Sequence, residues 1–252
     1  MKLSILCLGT CCVDKGRVLT SGVDEGKRVH TPIPGFLVQS DDGKVVLVDT
    51  GLHPIHVDDP DYTWRDDEFS AELTTVMRPE DAVAHRLQEV GLRVRDVTHI
   101  VNTHLHFDHC GNNRLFKGIP IYVQREQYLL AKDNPSFPAE YWDDPELDYQ
   151  LLDGDVELFA GIECIVTPGH TPGHQSLVVH LKSEGPVLLC GDAIYCRENL
   201  DLDSWETQAD PTLAKSSALR LSELNRKLGS MMIFGHDPIQ WRDLRLAPLS
   251  YE

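Results

Sequence analysis

Residues 103–109 read Thr-His-Leu-His-Phe-Asp-His, so His104, His106, Asp108 and His109 place four potential metal ligands within six positions. The apolar run 97–101 precedes them, so they leave a strand at its end. In extended chain His104 and His106 point the same way, as one shared cation needs. A turn into helix would swing Asp108 and His109 toward a neighbouring point, and one short segment could then serve two adjacent cations. A plain polar turn explains little here: exposed, it needs no three imidazoles, and buried, it leaves them unsatisfied.

Three later segments repeat the arrangement of apolar run, glycine and ligand-type side chain. Gly169-His170 follows the run 162–166, Gly191-Asp192 follows 187–190, and Gly235-His236 follows 231–234. Ligands delivered from strand ends onto one rim are what an α/β active site requires. Further strand patterns lie at 3–8, 36–39, 45–48, 119–123 and 176–180. Helices are expected over 79–90, where Val83, Leu87 and Val90 share a face, and over 125–132. A longer helix should open at Asp210-Pro211 and end at Gly229. Strands with helices between some of them imply an α/β protein with helices covering the sheets. No repeat or linker divides residues 1–252, which read as one domain.

The formal net charge is −17, spread along the chain, which suits a soluble surface and repels phosphate backbones and anionic lipids. Nucleic acid and membrane are therefore not expected partners, and no apolar run reaches the roughly 20 residues of a membrane helix. The seven cysteines are odd in number and form no Cys-x-x-Cys pair, which favours free thiols in a reducing cytoplasm. The start of the chain has a short apolar run without a small-x-small site, and is expected to be a buried strand rather than a secretion signal.

The whole pattern resembles the metallo-β-lactamase superfamily: His-x-His-x-Asp-His at 104–109, then His170, Asp192 and His236, with an early Asp-Thr-Gly at 49–51. The resemblance implies a four-layer αββα sandwich and two divalent metal ions, Zn2+ above all, with iron, cobalt or manganese as alternatives. It further implies that His104, His106 and His170 hold the first metal and Asp108, His109 and His236 the second. Asp192 would bridge them, and Asp49 would orient a ligand histidine. His174 has no ligand position in this scheme and is expected to support the site.

Three stretches narrow the resemblance to the N-acyl-homoserine lactonases, the quorum-quenching branch. They are Gly-Asp-Ala-Ile-Tyr at 191–195, the string from His104 through Asn113, and residues 167–177. That branch implies a small-molecule lactone substrate, opened by a metal-bridging hydroxide. Tyr195 would hydrogen-bond the developing oxyanion and Asp108 would carry a proton to the leaving alkoxide. Phe107 would line the pocket mouth, and Trp64, Phe69, Phe137, Tyr141 and Trp142 are candidates for its wall or for a homodimer contact.

The main alternative is a glyoxalase II-like thioesterase, or another ester or phosphoester hydrolase of the fold. Glyoxalase II-like enzymes usually add a C-terminal helical region, for which the sixteen residues after His236 give no room. An oxygen-reducing di-iron protein of this fold would carry Glu where His106 stands.

Overall fold

Period-two alternation in the strands sets the architecture. The computed structural model describes residues 1–65, 71–132 and 134–252. Its strands are β1 (Lys2–Asp14), β2 (Arg28–Gln39), β3 (Val45–Val48), β4 (Leu73–Val76), β5 (His99–Val101) and β6 (Pro120–Gln124). The chain continues with β7 (Asp148–Leu152), β8 (Val156–Phe159), β9 (Ile162–Val166), β10 (Gln175–Leu181), β11 (Gly185–Leu189) and β12 (Met231–Ile233). Among the described residues they form two sheets, ordered β4-β1-β2-β3-β5-β6-β7 and β12-β11-β10-β9-β8.

Alternate residues of each sheet face opposite layers. Leu3, Ile5, Val46 and Val48 of the first sheet meet Leu177, Val179, Val187 and Leu189 of the second, forming the core between the sheets. The other face of the first sheet, with Leu6, Leu37, Leu47, Ile100 and Ile121, packs on Val83 and Leu87 of α1 (Val83–Glu89). Val178 and Leu188, on the outer face of the second sheet, pack on Ala214, Ala218 and Leu221 of a long C-terminal helix (Pro211–Leu228). The result is the four-layer αββα sandwich that the family resemblance implied.

The long helix follows its sequence signals closely. The Asp210 carboxylate accepts from Leu213 N–H at 2.9 Å, and Gly229 ends the helix in the left-handed region at φ 63°. A cap of this kind contributes about 1 kcal/mol.

Elsewhere the sequence patterns were incomplete. β4, β7 and β8 gave no apolar run, because they are short and interrupted by polar residues. β2 begins at Arg28, eight residues before the run at 36–39, because Pro32 and Pro34 read as strand breakers. They pair with Thr10 and Cys7, on either side of an irregularity in the β1 ladder.

Residues 134–150 contain a four-residue helix, Ala139–Trp142. Its Tyr141 and Trp142 are 3% and 1% exposed, and neither lines the cleft over the ligand cluster, in contrast to the wall expected of them. Trp142 Nε1–H donates to the Phe137 carbonyl at 3.0 Å, and Tyr141 shares a hydrogen bond with the Thr63 hydroxyl at 2.8 Å. A single helical turn is too short to show a periodicity from which that burial could be read.

Strands β3, β5 and β6 run parallel, as do β11 and β12, so their carboxyl ends reach the same edge of each sheet. Ligands in open α/β sheets collect at such ends. The cysteines are free and buried or half-buried, and no described helix is long and apolar enough to cross a membrane.

Candidate metal centre

The chain leaves β5 at Val101 and passes through Thr103 to His104, then turns at His106 into α2, the four-residue helix Phe107–Cys110. This turn presents His104 and His106 before the helix and Asp108 and His109 on it. Gly111, after the helix, lies so close to residues 51–53 that a Cβ there would come within 2.5 Å of the Gly51 carbonyl oxygen. The second sheet contributes His170 beyond β9, Asp192 beyond β11 and His236 beyond β12. Gly169 has φ +134°, and a Cβ on it would reach 2.2 Å from the Ala214 nitrogen, so only glycine allows the loop to seat on the long helix.

The structure brings all seven sequence-selected ligands into three overlapping groups. These are His104, His106 and His170; His104, His109 and Asp192; and Asp108, His109 and His236. His170 Nε2 lies 3.1 Å from His104 Nε2 and 2.9 Å from His106 Nδ1, which are themselves 2.9 Å apart. The Asp192 carboxylate stands between the groups, with Oδ1 3.1 Å from His236 Nε2 and 3.3 Å from His109 Nε2. Its Oδ2 lies 3.3 Å from His170 Nε2.

The outward-facing nitrogens identify which inward ones carry lone pairs. Asp49 has no proton to give, so His109 Nδ1–H donates to its Oδ2 at 2.8 Å. Thr103 uses its hydroxyl proton on the same carboxylate, and His104 Nδ1–H therefore donates to Thr103 Oγ1 at 3.0 Å. His236 Nδ1–H donates to the Pro32 carbonyl at 2.8 Å, and His170 Nδ1 lies 3.0 Å from Gln208 Oε1. In the neutral ring, each of these four imidazoles thus turns Nε2 inward as its lone-pair nitrogen.

Two buried atoms of this cluster, His109 Nε2 and Asp192 Oδ1, find no hydrogen-bond partner among the described residues. Imidazoles crowded around carboxylates, with orphaned polar atoms between them, fit two divalent cations.

Titration behaviour follows the same division. Burial lowers the pKa of His106 and His170 to about 3, and drives His104 well below the ordinary imidazole value, so these three present neutral rings. Burial acts against the protonated form of His109 and His236 too, but the Asp192 and Asp108 charges outweigh it and raise both. Asp192 is opposed by its own burial, yet His236, His109 and His170 hold it well below the carboxylate range. A cation would take over the charge compensation that protons otherwise provide, so metal uptake should release them.

Supporting residues lie behind the cluster. Asp49 is 2% exposed and sits at φ 59°, and both of its oxygens are used: Oδ1 accepts Thr103 N–H, and Oδ2 accepts from the Thr103 hydroxyl and His109. His174 is fully buried, and its Nε2 accepts the Asp192 amide at 3.0 Å. Gln208 went unnoticed in the sequence: it lies outside every strand-end motif, and only the fold brings it beside His170. His56 is 1% exposed and meets the Phe107 ring at 5.7 Å.

A cleft of about 500 Å³ opens over the cluster, with His106, Asp108, His170, Asp192, Tyr195 and His236 lining it. Trp64, Phe107 and Phe137 belong to its apolar wall, together with Val13, Leu19 and Leu73, which carried no sequence signal. Phe137 stacks on His106 with centroids 4.8 Å apart and planes at 9°. Tyr141 lines a smaller cavity instead, Trp142 lines neither, and Phe69 lies outside the described residues. The Tyr195 hydroxyl is 3.0 Å from His170 Nδ1.

Comparison with known proteins agrees with this geometry. The profile of the metallo-beta-lactamase superfamily matches residues 31–236. The N-acyl homoserine lactonase of Bacillus thuringiensis is 35% identical over 247 residues, covering 98% of this chain and 97% of that protein. The lactonase of Azorhizobium caulinodans is 31% identical over 244 residues, with 90% of each chain covered. A solved N-acyl homoserine lactone hydrolase, carrying N-hexanoyl-L-homoserine at its catalytic metal centre, superposes with a TM-score of 0.93 at 34% identity. That superposition covers 99% of this chain and 98% of the other. With likeness this even from end to end, the chain belongs to the metallo-β-lactamase superfamily and, within it, to the N-acyl homoserine lactonases.

Proposed function

We propose that this protein hydrolyses the lactone ring of N-acyl homoserine lactones, and so quenches quorum signals, from a single domain working in the cytoplasm. The observation that carries this reading is the placing of Tyr195 and Asp108 beside the histidine–carboxylate cluster, at the floor of an apolar-walled cleft. Free thiols are in keeping with a reducing compartment.

His104, His106 and His170 would hold one cation, Asp108, His109 and His236 the other, with Asp192 shared between them. When bound, two divalent cations, zinc in our reading, supply Lewis acidity and acidify water from a pKa of about 15.7 to near 7. The remaining work falls to side chains. Phe107, Trp64 and Phe137 take the acyl chain against an apolar wall and exclude water from it. The Tyr195 O–H donates to the carbonyl oxygen as negative charge develops there. Burial pushes the Tyr195 phenol well above its ordinary pKa, so it remains a donor at neutral pH. The Asp108 carboxylate takes the proton that the attacking water gives up as its oxygen bonds to the acyl carbon, and delivers it to the ring oxygen as the acyl–oxygen bond breaks.

Tyr195→Phe should lower kcat for lactones while leaving metal content unchanged. Losing a hydrogen bond to a charged oxygen costs about 1.5–3 kcal/mol, or roughly 10- to 150-fold in rate. Unaltered lactone kinetics would remove Tyr195 from the reaction. The reading as a whole is tested by pH-monitored ring opening across homoserine lactones of different acyl length, with glutathione thioesters and phosphotriesters alongside. Metal-replete protein that cleaves thioesters but opens no lactone would overturn it.

A further inference from the structure

We infer that Gln208 is a positioning residue: its side-chain amide holds His170 in one tautomer and thereby leaves the Tyr195 hydroxyl proton for the substrate. The inference rests on the reading of His170 as a metal ligand. Gln208 is 5% exposed, so its amide needs internal partners at both ends. Its Nε2–H donates to the Asp192 carbonyl at 3.1 Å, which determines the end that faces away. The opposite rotation would set Oε1 against that carbonyl oxygen, two acceptors in contact. Oε1 is therefore the atom 3.0 Å from His170 Nδ1, and an amide oxygen there requires an N–H on the ring.

The Tyr195 hydroxyl lies equally close to the same nitrogen, at 3.0 Å. Were Nδ1 unprotonated, the phenol would donate to it and have nothing left for a ligand. With Nδ1 protonated by its bond to Gln208, Tyr195 can only accept from His170. Among the described residues its hydroxyl has no other hydrogen-bond partner, so its own proton is directed to the cleft. Gln208 thus links three groups of the site: the backbone of Asp192, the ring of His170 and the donor state of Tyr195. Partners of this kind behind a metal-bound imidazole typically affect metal affinity or activity by roughly 10- to 100-fold.

The test compares the full-length protein with Gln208→Met, which keeps the length but loses the acceptor, and Gln208→Glu, which keeps an acceptor oxygen. Zinc affinity is read by competition with a chromophoric chelator, and the melting temperature of each chelator-stripped chain is read separately. Gln208→Met should hold one of two zinc equivalents roughly 10- to 100-fold more weakly, with an apo melting temperature near that of the parent. Gln208→Glu keeps the acceptor that faces His170 but loses the donor to the Asp192 carbonyl, so it should lose less than Gln208→Met. Three results would overturn the inference: parental zinc binding in Gln208→Met, an equal loss in Gln208→Glu, or an apo Gln208→Met chain that is itself destabilised. A parent chain that takes up fewer than two zinc ions would count against the metal reading beneath it.

Discussion

Asp192→Asn is expected to reduce metal content from two ions to one or fewer and to lower lactone turnover by at least roughly 100-fold. The side chain is 4% exposed, and its oxygens reach His109, His170 and His236 at 3.1–3.3 Å. Asparagine has nearly the same shape but removes the charge and turns an NH2 group toward lone pairs. Breaking a buried charge set by changing one partner costs about 3–5 kcal/mol, which corresponds to roughly 150- to 5,000-fold weaker retention. Elemental analysis after dialysis against a chelator gives the stoichiometry. Two retained cations with turnover within tenfold of the parent would contradict the bridging role.

Asp49→Ala is expected to give the largest loss of stability at the site, about 3–5 kcal/mol. Removing the carboxylate orphans the Thr103 N–H, the Thr103 hydroxyl and His109 Nδ1–H, each now held at 2.8 Å. Each buried donor left without a partner costs about 1–3 kcal/mol, partly offset where the chain relaxes. Alanine also resists the left-handed backbone at φ 59°, by about 1–2 kcal/mol. At about 2–4 °C per kcal/mol in a chain of this length, the melting temperature should fall by about 6–20 °C. Asp49→Asn tolerates the backbone and keeps one acceptor, so it should fall between the two. A chelator-stripped thermal melt measures the effect without metal, and a parental curve for Asp49→Ala would refute it.

What could be read in the sequence divides along physical lines. The seven candidate ligands were legible because their residue types are costly to bury without a purpose and because each follows an apolar strand. The α/β class and the helix ending at Gly229 were legible because apolar runs and cap residues are local signals, whereas the four-layer sandwich followed from the family resemblance. Gln208 and the wall residues Val13, Leu19 and Leu73 were not, since their roles arise only when distant segments meet. Tyr141 and Trp142 misled for a related reason, as burial of a single helical turn leaves no periodic trace. β4 and β7 escaped notice because these short edge strands are interrupted by polar residues and carry no apolar run.

The origin of the ligands has a thermodynamic consequence. Four come from the end of β5 in one sheet and three from β9, β11 and β12 in the other. A pair of cations held there would act as a clasp across the sandwich, joining the N-terminal and C-terminal halves of the chain. Binding only to the closed form, at a free concentration about 1,000 times its Kd, each ion would add about 4.1 kcal/mol to the unfolding free energy. The persistence of the enzyme in a metal-poor cell would then depend on metal supply as much as on its apolar core, and starvation for the ion would expose the chain to proteases as well as silence it.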